Sequence, residues 1–212
     1  MPTLSAFNSL LSQRTARRCR RLPWRLAVAG AFLALLPAAL AQAQNKLLWR
    51  TNYYSITGAN LGEIRRSMNQ SRPWKEPGNL SGLTEWRIDW RFEVRPSEDG
   101  CRCSSFKTTT TITNTLPRWT PPAEASAELA AAWIRFISAL GEHEDGHSRT
   151  ALAAVDELHK RIKQLGPAAD CDALRKRIND LAGRVIDEYR QRDKDYDRRT
   201  RHGATQGVAL RL

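Results

Sequence analysis

A chain of 212 residues with 34 Lys and Arg against 22 Asp and Glu has length for one ordinary domain and a formal net charge of +12. The excess is uneven: residues 1–25 hold six arginines and no acid, and setting them aside halves the net charge. The remainder is mildly basic, with its 175–201 stretch interleaving basic and acidic residues as a solvated helix face does, and it lacks the basic–aromatic pattern of nucleic-acid modules, which argues against a nucleic-acid partner.

After the arginines, residues 26–40 are apolar apart from Gly30 and Pro37. The run falls short of the roughly 18 residues a spanning helix needs, and Ala41-Gln42-Ala43 supplies a small-x-small cleavage pattern. Residues 1–43 are therefore expected to be a signal peptide, with residues 44–212 a single mature domain that is secreted, periplasmic or extracellular and has no stable membrane span after cleavage. An uncleaved inner-membrane anchor is the rival reading. Cys19 precedes the apolar run, so it cannot act as a lipobox cysteine.

Residues 49–57 mix aromatic, Ile and Thr side chains and predict a strand stopped by Gly58. A helix follows, capped by Asn60 or Thr57, with Leu61, Ile64 and Met68 on its apolar face and Pro73 marking its end. Residues 71–82, with two prolines and two glycines, predict a loop. Trp86, Ile88, Trp90, Phe92 and Val94 then alternate with Arg87, Asp89, Arg91, Glu93 and Arg95, the pattern of a half-buried strand. Turn chemistry at 96–100 leads into a Thr-rich strand over 101–116, ended by Pro117, and the two strands predict a long antiparallel hairpin. The high Thr content suits an edge strand or a face open to solvent. From Pro122 the period becomes helical and runs to Leu165, where Gly166-Pro167 breaks it. A second helix starts near Asp170 with an inner stripe of Leu174, Ile178, Leu181, Val185, Tyr189 and Tyr196, forming an antiparallel helical hairpin with the first.

Three cysteines remain after the leader. Cys101 and Cys103 are too close, and on one face of a strand, to pair comfortably with each other; a bridge from one of them to Cys171 would tie the strands to the C-terminal helices. Cys101 is the preferred partner and Cys103 the alternative. Zinc ligation by Cys101 and Cys103 is a weaker competing idea, since a second ligand pair is missing.

Chemistry concentrates at His143-Glu144-Asp145-Gly146-His147, which spells H-E-x-x-H. On a helix, residues four apart share a face about one turn apart, so both imidazoles can reach one zinc ion. Glu144, one residue past the first ligand, is the expected general base, activating a water without binding the metal. Leu129, Trp133, Phe136, Ile137 and Leu140 before the motif, and Ala151, Ala154, Val155, Leu158 and Ile162 after it, continue a buried helix face that includes the histidines. Gly146 costs about 1 kcal/mol of helix stability, which a purely structural helix has little reason to carry.

A catalytic zinc takes three protein ligands and keeps one position open. His159 lies three turns beyond His147 on the same helix and is expected to be structural or superficial. His202 stands among small residues and glycines but lies beyond the level at which the second helix returns; returning from Gly166, that helix comes level with the motif near residues 188–193. Ligand chemistry alone leaves His202 and Glu188 evenly placed, with Asp193 less favoured.

The motifs Tyr53-Tyr54 with Gly58, Thr84-Glu85-Trp86-Arg87-Ile88-Asp89-Trp90, Thr115-Leu116-Pro117-Arg118-Trp119, H-E-x-x-H, Cys171, and the ending from Tyr196-Asp197 through Thr200, His202-Gly203 and Gln206-Gly207 carry a resemblance. The chain resembles, over about residues 50–207, an uncharacterised bacterial family of predicted secreted zinc-dependent proteases. The resemblance implies His202 as third ligand, completing a His143, His147, His202 site with Glu188 as the alternative, and it makes Cys103 an extra cysteine relative to the pattern.

The expected fold is α+β: a small mainly antiparallel sheet packed on a zincin-like H-E-x-x-H helix and a C-terminal antiparallel helical hairpin. An edge strand beside that helix would let an extended substrate add to the sheet, and the 101–116 strand is the candidate. The expected activity is a zinc metallopeptidase acting on a peptide or protein substrate, with Tyr196 or Arg201 as a further donor to the developing oxyanion. The alternative is a secreted envelope-associated binding domain with a structural zinc site.

Overall fold

The computed structural model describes residues 45–75 and 80–212; the expected leader and its cleavage site lie outside these residues. The first strand, β1 (Lys46–Ile56), leads into helix α1 (Leu61–Ser71), which is followed by β2 (Leu83–Ser97) and β3 (Gly100–Trp119). Two long helices, α2 (Ala127–Lys163) and α3 (Cys171–Thr200), complete the fold with a short 3-10 turn, Ala204–Gln206. The class is α+β.

Local chemistry explains most boundaries. The Asn60 side chain accepts the Glu63 N–H at 3.0 Å while Glu63 reaches back to the Ala59 N–H at 2.7 Å, closing the first turn of α1 from both sides. Ser126 caps α2 by accepting from Leu129 N, and Asp170 caps α3 by accepting from Ala173 N. Helix α3 ends at Arg201 and His202, which take left-handed φ values of 51° and 52° so that the chain reverses.

The sheet departs from expectation in one respect that matters. Its order is β1-β3-β2, with β3 antiparallel to β2 and parallel to β1, so the Thr-rich strand is central over residues 109–115 and the sheet is mixed. Period-two reading recognises a strand but carries no information about its neighbours, and threonine is tolerated between strands when its hydroxyl is satisfied. Thr108 is an example: it is buried, with its Oγ1 3.2 Å from both Asn45 Oδ1 and His159 Nε2. His159 is held there and against the Phe106 ring, a structural role as expected. Pro117 does not end the strand, because β2 pairs only as far as Thr115 and the proline has a sheet neighbour on one side alone, Tyr54 of β1. The docking edge assigned to residues 101–116 is therefore lost over 109–116, which β1 covers, whereas residues 102–108 pair with β2 alone and keep the expected edge character.

Two apolar clusters form the core. One packs Ile88 and Phe106 of the sheet against Ala154, Leu158 and Ile162 of α2 and Leu174, Ile178 and Val185 of α3. The other gathers Tyr54, Ile56, Ile64 and Trp119 around Leu129, Trp133, Phe136 and Leu140 of α2, with Leu210 of the tail closing it. Helix α2 runs through both, and the H-E-x-x-H segment occupies the stretch between them.

A disulfide joins Cys101, at the start of β3, to Cys171, at the start of α3, while Cys103 is free and half-buried. Backbone pairing selects the partner: Cys101 exchanges hydrogen bonds with Ala168 at 2.9 and 3.0 Å, which sets it rather than Cys103 against the α2–α3 connection. No helix among the described residues is long and apolar enough to cross a membrane.

The bridge closes a loop of 70 residues in sequence. Cys171→Ser is expected to lower unfolding stability by about 3–4 kcal/mol, whereas Cys103→Ser should stay within about 0.5 kcal/mol of the parent chain. Urea denaturation of both variants checks this, and equal midpoints would contradict it.

Candidate metal centre

The H-E-x-x-H segment lies wholly inside α2, so its two histidines project from one face, and both are nearly inaccessible to solvent. Their Nε2 atoms stand 3.4 Å apart. Across the helical hairpin, α3 presents Asp193 and Asp197, also four residues apart, to the same seam. Asp197 Oδ1 lies 3.1 Å from His143 Nε2 and 3.2 Å from His147 Nε2. His143, His147 and Asp197 form the candidate metal-holding group, their ligand atoms all lying within 4.8 Å of one another.

The outer ring nitrogens decide what this arrangement asks for. His147 Nδ1 meets Asp193 Oδ1 at 2.8 Å, and His143 Nδ1 meets Gln206 Oε1 at 2.9 Å. Both partners are acceptors, so each Nδ1 donates and each Nε2 turns a lone pair inward. Two lone pairs and a carboxylate oxygen then converge on one point, an arrangement that calls for a cation. The separations suit zinc: donors around a tetrahedral ion with bonds of about 2.0–2.1 Å stand about 3.3 Å apart. Two imidazoles and one carboxylate also make a donor set that zinc accepts, and three protein ligands leave a fourth position open.

Without a cation, protons take its place. Burial by itself would depress the His147 imidazole, but its hydrogen bonds to Asp193 and Asp197 prevail and lift it to about 10. Burial would raise the Asp197 carboxyl, yet the contacts with His143 and His147 hold it well below the usual carboxylate range.

Glu144 faces the sheet. It is buried, and its Oε2 accepts a hydrogen bond from the Thr84 hydroxyl at 2.7 Å, at the start of β2. Burial pushes its carboxyl up, opposed by the Thr84 hydrogen bond and by the charges of His147 and His143. Gly82 makes room for it: a Cβ there would lie 2.5 Å from Glu144 Oε1. Asn114 of β3 accepts from Ser148 at 3.2 Å, one turn further along α2, so both β2 and β3 fix the rotation of the motif.

Tyr196 explains the helix glycine. Its ring stacks on His143 at 5.1 Å and meets His147 edge-on at 5.0 Å, and a Cβ at residue 146 would lie 2.2 Å from its hydroxyl oxygen. That hydroxyl is engaged by the His143 carbonyl at 3.3 Å and by Gln206. Tyr196 thus walls the imidazoles in place.

The structure places the other expected residues differently. His202 is exposed at the lip of the site, its Nδ1 3.4 Å from Asp197 Oδ1, and it is outside the group of converging ligand atoms. The tail does turn back onto α2 as a His202 ligand would demand, but Gln206 is the tail side chain that reaches a motif histidine. Glu188 is taken up by Arg161 and Arg192 on the outside of the hairpin and does not face the histidines. Arg201 is an exposed cap residue.

Sequence reasoning missed Asp197 and undervalued Asp193. The cause is register: the level of 188–193 is counted back from Gly166, whereas helical rise resumes only at Cys171, so the residues level with the motif lie further along the chain. A readable signal existed in Asp193-x-x-x-Asp197, a second pair at helical spacing complementary to the two histidines. Thr84, Trp86 and Gln206 were likewise not assigned; the Trp86 indole donates to Asp193 Oδ2 at 3.0 Å and so steadies the carboxylate that holds His147.

Fold and site together define an α+β domain with a helix-borne His–His–Asp candidate metal centre. The chain belongs to the family described as bacterial protein of unknown function (DUF922), which matches residues 51–203. No curated protein and no solved structure matches it.

Asp197→Ala is expected to abolish zinc binding, Asp193→Asn to weaken it about 10- to 100-fold by loosening His147, and His202→Ala to retain it; competition titration against a chromophoric chelator separates the three. Retention in Asp197→Ala together with loss in His202→Ala would restore the three-histidine site. A pH dependence follows as well. Because the folded value of His147 is raised above its ordinary 6.5, its protonation stabilises the metal-free fold fully below that pH and the contribution is lost as pH climbs through about 10. Chelator-treated protein should therefore lose thermal stability over that interval, while zinc-loaded protein, which needs the nitrogen bare, should not; parallel melting curves would count against this account.

Proposed function

We propose that this protein is a secreted zinc-dependent hydrolase that cleaves peptide bonds. The observation that carries the reading is the convergence of His143 Nε2, His147 Nε2 and Asp197 Oδ1 beside a buried carboxylate, Glu144. Three protein ligands with one position open is the arrangement of catalytic rather than structural zinc sites. The disulfide, and the leader-like pattern of residues 1–43, support an oxidising destination outside the cytoplasm.

Zinc bound there supplies a Lewis acid that polarises a scissile carbonyl and acidifies a water. Glu144 takes the proton as the water oxygen bonds to the carbonyl carbon, then delivers it to the amine nitrogen as the carbon–nitrogen bond breaks. A carboxyl raised by burial suits this double duty, since it must accept a proton and then release it. Thr84 fixes its orientation through the 2.7 Å hydrogen bond. Asp193 keeps His147 in the tautomer that offers Nε2, Gln206 does the same for His143, and Tyr196 prevents either ring from rotating.

The alternative, a zinc staple in an envelope-binding domain, requires a closed set of four protein ligands. His202 Nδ1 lies 3.4 Å from Asp197 Oδ1 and stands outside the group of converging ligand atoms.

Glu144→Gln is expected to keep zinc at full stoichiometry while lowering turnover of a peptide library by at least about a hundredfold. Metal analysis and mass-spectrometric mapping of cleavage sites provide both readouts. Undiminished cleavage by this variant would remove Glu144 as the base, and a zinc-loaded parent protein that cleaves no peptide would sink the peptidase reading.

A further inference from the structure

A cavity of about 360 Å³ lies between α1, α2 and the C-terminal tail and plays no part in the mechanism above. Its apolar side is made by Met68 of α1, Phe136 of α2 and Val208 of the tail, and two arginines, Arg65 and Arg211, stand around it with Ser81. Met68 and Phe136 are buried, whereas both arginines are exposed. The cavity therefore combines an apolar floor with a cationic rim.

Two of its lining residues adjoin glycines that pack against the reacting groups. Ser81 precedes Gly82, the residue whose missing Cβ admits Glu144. Val208 packs on Gly203, where an added Cβ would lie 2.4 Å from Val208 Cγ2 and 3.0 Å from His143 Cγ. One wall is thus continuous with the strand entry that flanks the base, and another with the tail turn that touches a metal ligand. Arg65 Nη2 donates to the Leu210 carbonyl at 2.8 Å, which pins the tail over the cavity and leaves the remaining guanidinium donors for a ligand.

We infer that this cavity is a substrate subsite for a residue bearing a carboxylate, either an acidic side chain or the free C-terminus of a peptide, recognised by Arg65 and Arg211 over an apolar floor. Both sources present the same planar anion, which arginine can meet with paired hydrogen bonds. Lysine would be a poorer substitute at such a site, and a neutral amide would leave one arginine donor facing another donor. The inference rests on the hydrolase reading for the cavity's purpose, but its binding preference can be measured without turnover.

The test uses the zinc-loaded Glu144→Gln chain and three fluorescently labelled hexapeptides: one with a central Glu and an amidated C-terminus, its Gln counterpart, and an all-neutral peptide with a free C-terminal carboxylate. Anisotropy titration should show the Glu peptide or the free-acid peptide binding about fivefold or more tightly than the Gln peptide, a modest ratio because the rim is solvated. Whichever carboxylate peptide gains identifies the source. Arg211→Glu should erase or reverse the preference without changing the affinity for the Gln peptide. Arg65→Lys, which keeps the charge and a donor for Leu210, should reduce it. Equal affinity for all three peptides, no binding of any, or a preference that survives Arg211→Glu overturns the inference. Failure of the hydrolase reading looks different: the parent chain would cleave nothing while the arginine-dependent preference in Glu144→Gln persisted. Cleavage by the parent chain with no carboxylate preference would sink the subsite and leave the hydrolase standing.

Discussion

Two pairs of polar side chains, each spaced one helical turn apart, face one another across the α2–α3 seam, and the rest of the domain is arranged to keep them there. Histidines on one helix and aspartates on the other bring opposite charge into a space flanked by two apolar clusters. Charges moved out of water into such surroundings are costly unless paired, and removing one partner costs more than the pair contributes. The seam therefore has two satisfied states, one with protons shared between imidazole and carboxylate and one with a cation at the centre. Either state locks the register of the helices more sharply than apolar packing would, because a shift of one residue would turn every one of these groups away from its partner.

Several features far apart in sequence serve that register. The Cys101–Cys171 bridge fixes the N-terminus of α3 to the start of β3, so the helix begins its run from a defined point. Trp86 and Trp90 extend from β2 to Asp193 and Asn179, each indole N–H donating at 3.0 Å, which aligns α3 along the sheet. The tail completes the arrangement from the other end. After α3 the left-handed residues Arg201 and His202 reverse the chain, Gln206 reaches His143, and Leu210 enters the second core cluster. A buried tryptophan, Trp133, and its neighbours Trp119 and Phe136 then hold the first half of α2 in the same rigid body as the motif.

Seen chemically, the division of labour between the faces of α2 is sharp. One direction offers imidazole nitrogens toward α3. The adjacent direction, one residue on, offers Glu144 toward β2, where a threonine hydroxyl and the space left by Gly82 receive it. Gly146 occupies a third direction and admits the Tyr196 hydroxyl, so the residue least suited to a helix interior is the one that lets the tyrosine come close. The histidines and Gly146 thus answer to α3, and Glu144 to β2.

Much of this is local information and was legible in the chain itself. The spacing of His143, Glu144 and His147 follows from helix periodicity, as do the α2 and α3 segments, while alternation marks the β2 strand and local residues the cap at Asn60 or Thr57 and the helix start near Asp170. These depend on residues a few positions apart. That one of Cys101 and Cys103 bridges Cys171 was also readable, since the two cannot comfortably bridge each other, but the pairing of Cys101 with Ala168 decided which. What sequence could not supply was the register between elements. The parallel pairing that makes β3 central depends on where β1 returns, and no residue of β3 encodes it locally. The third ligand depends on how many residues the α2–α3 connection consumes before helical rise resumes at Cys171, and that length moved the facing position from the neighbourhood of Glu188 to Asp193 and Asp197. Periodicity determines which side chains share a face, but only the packed tertiary structure decides which two faces meet and at what level.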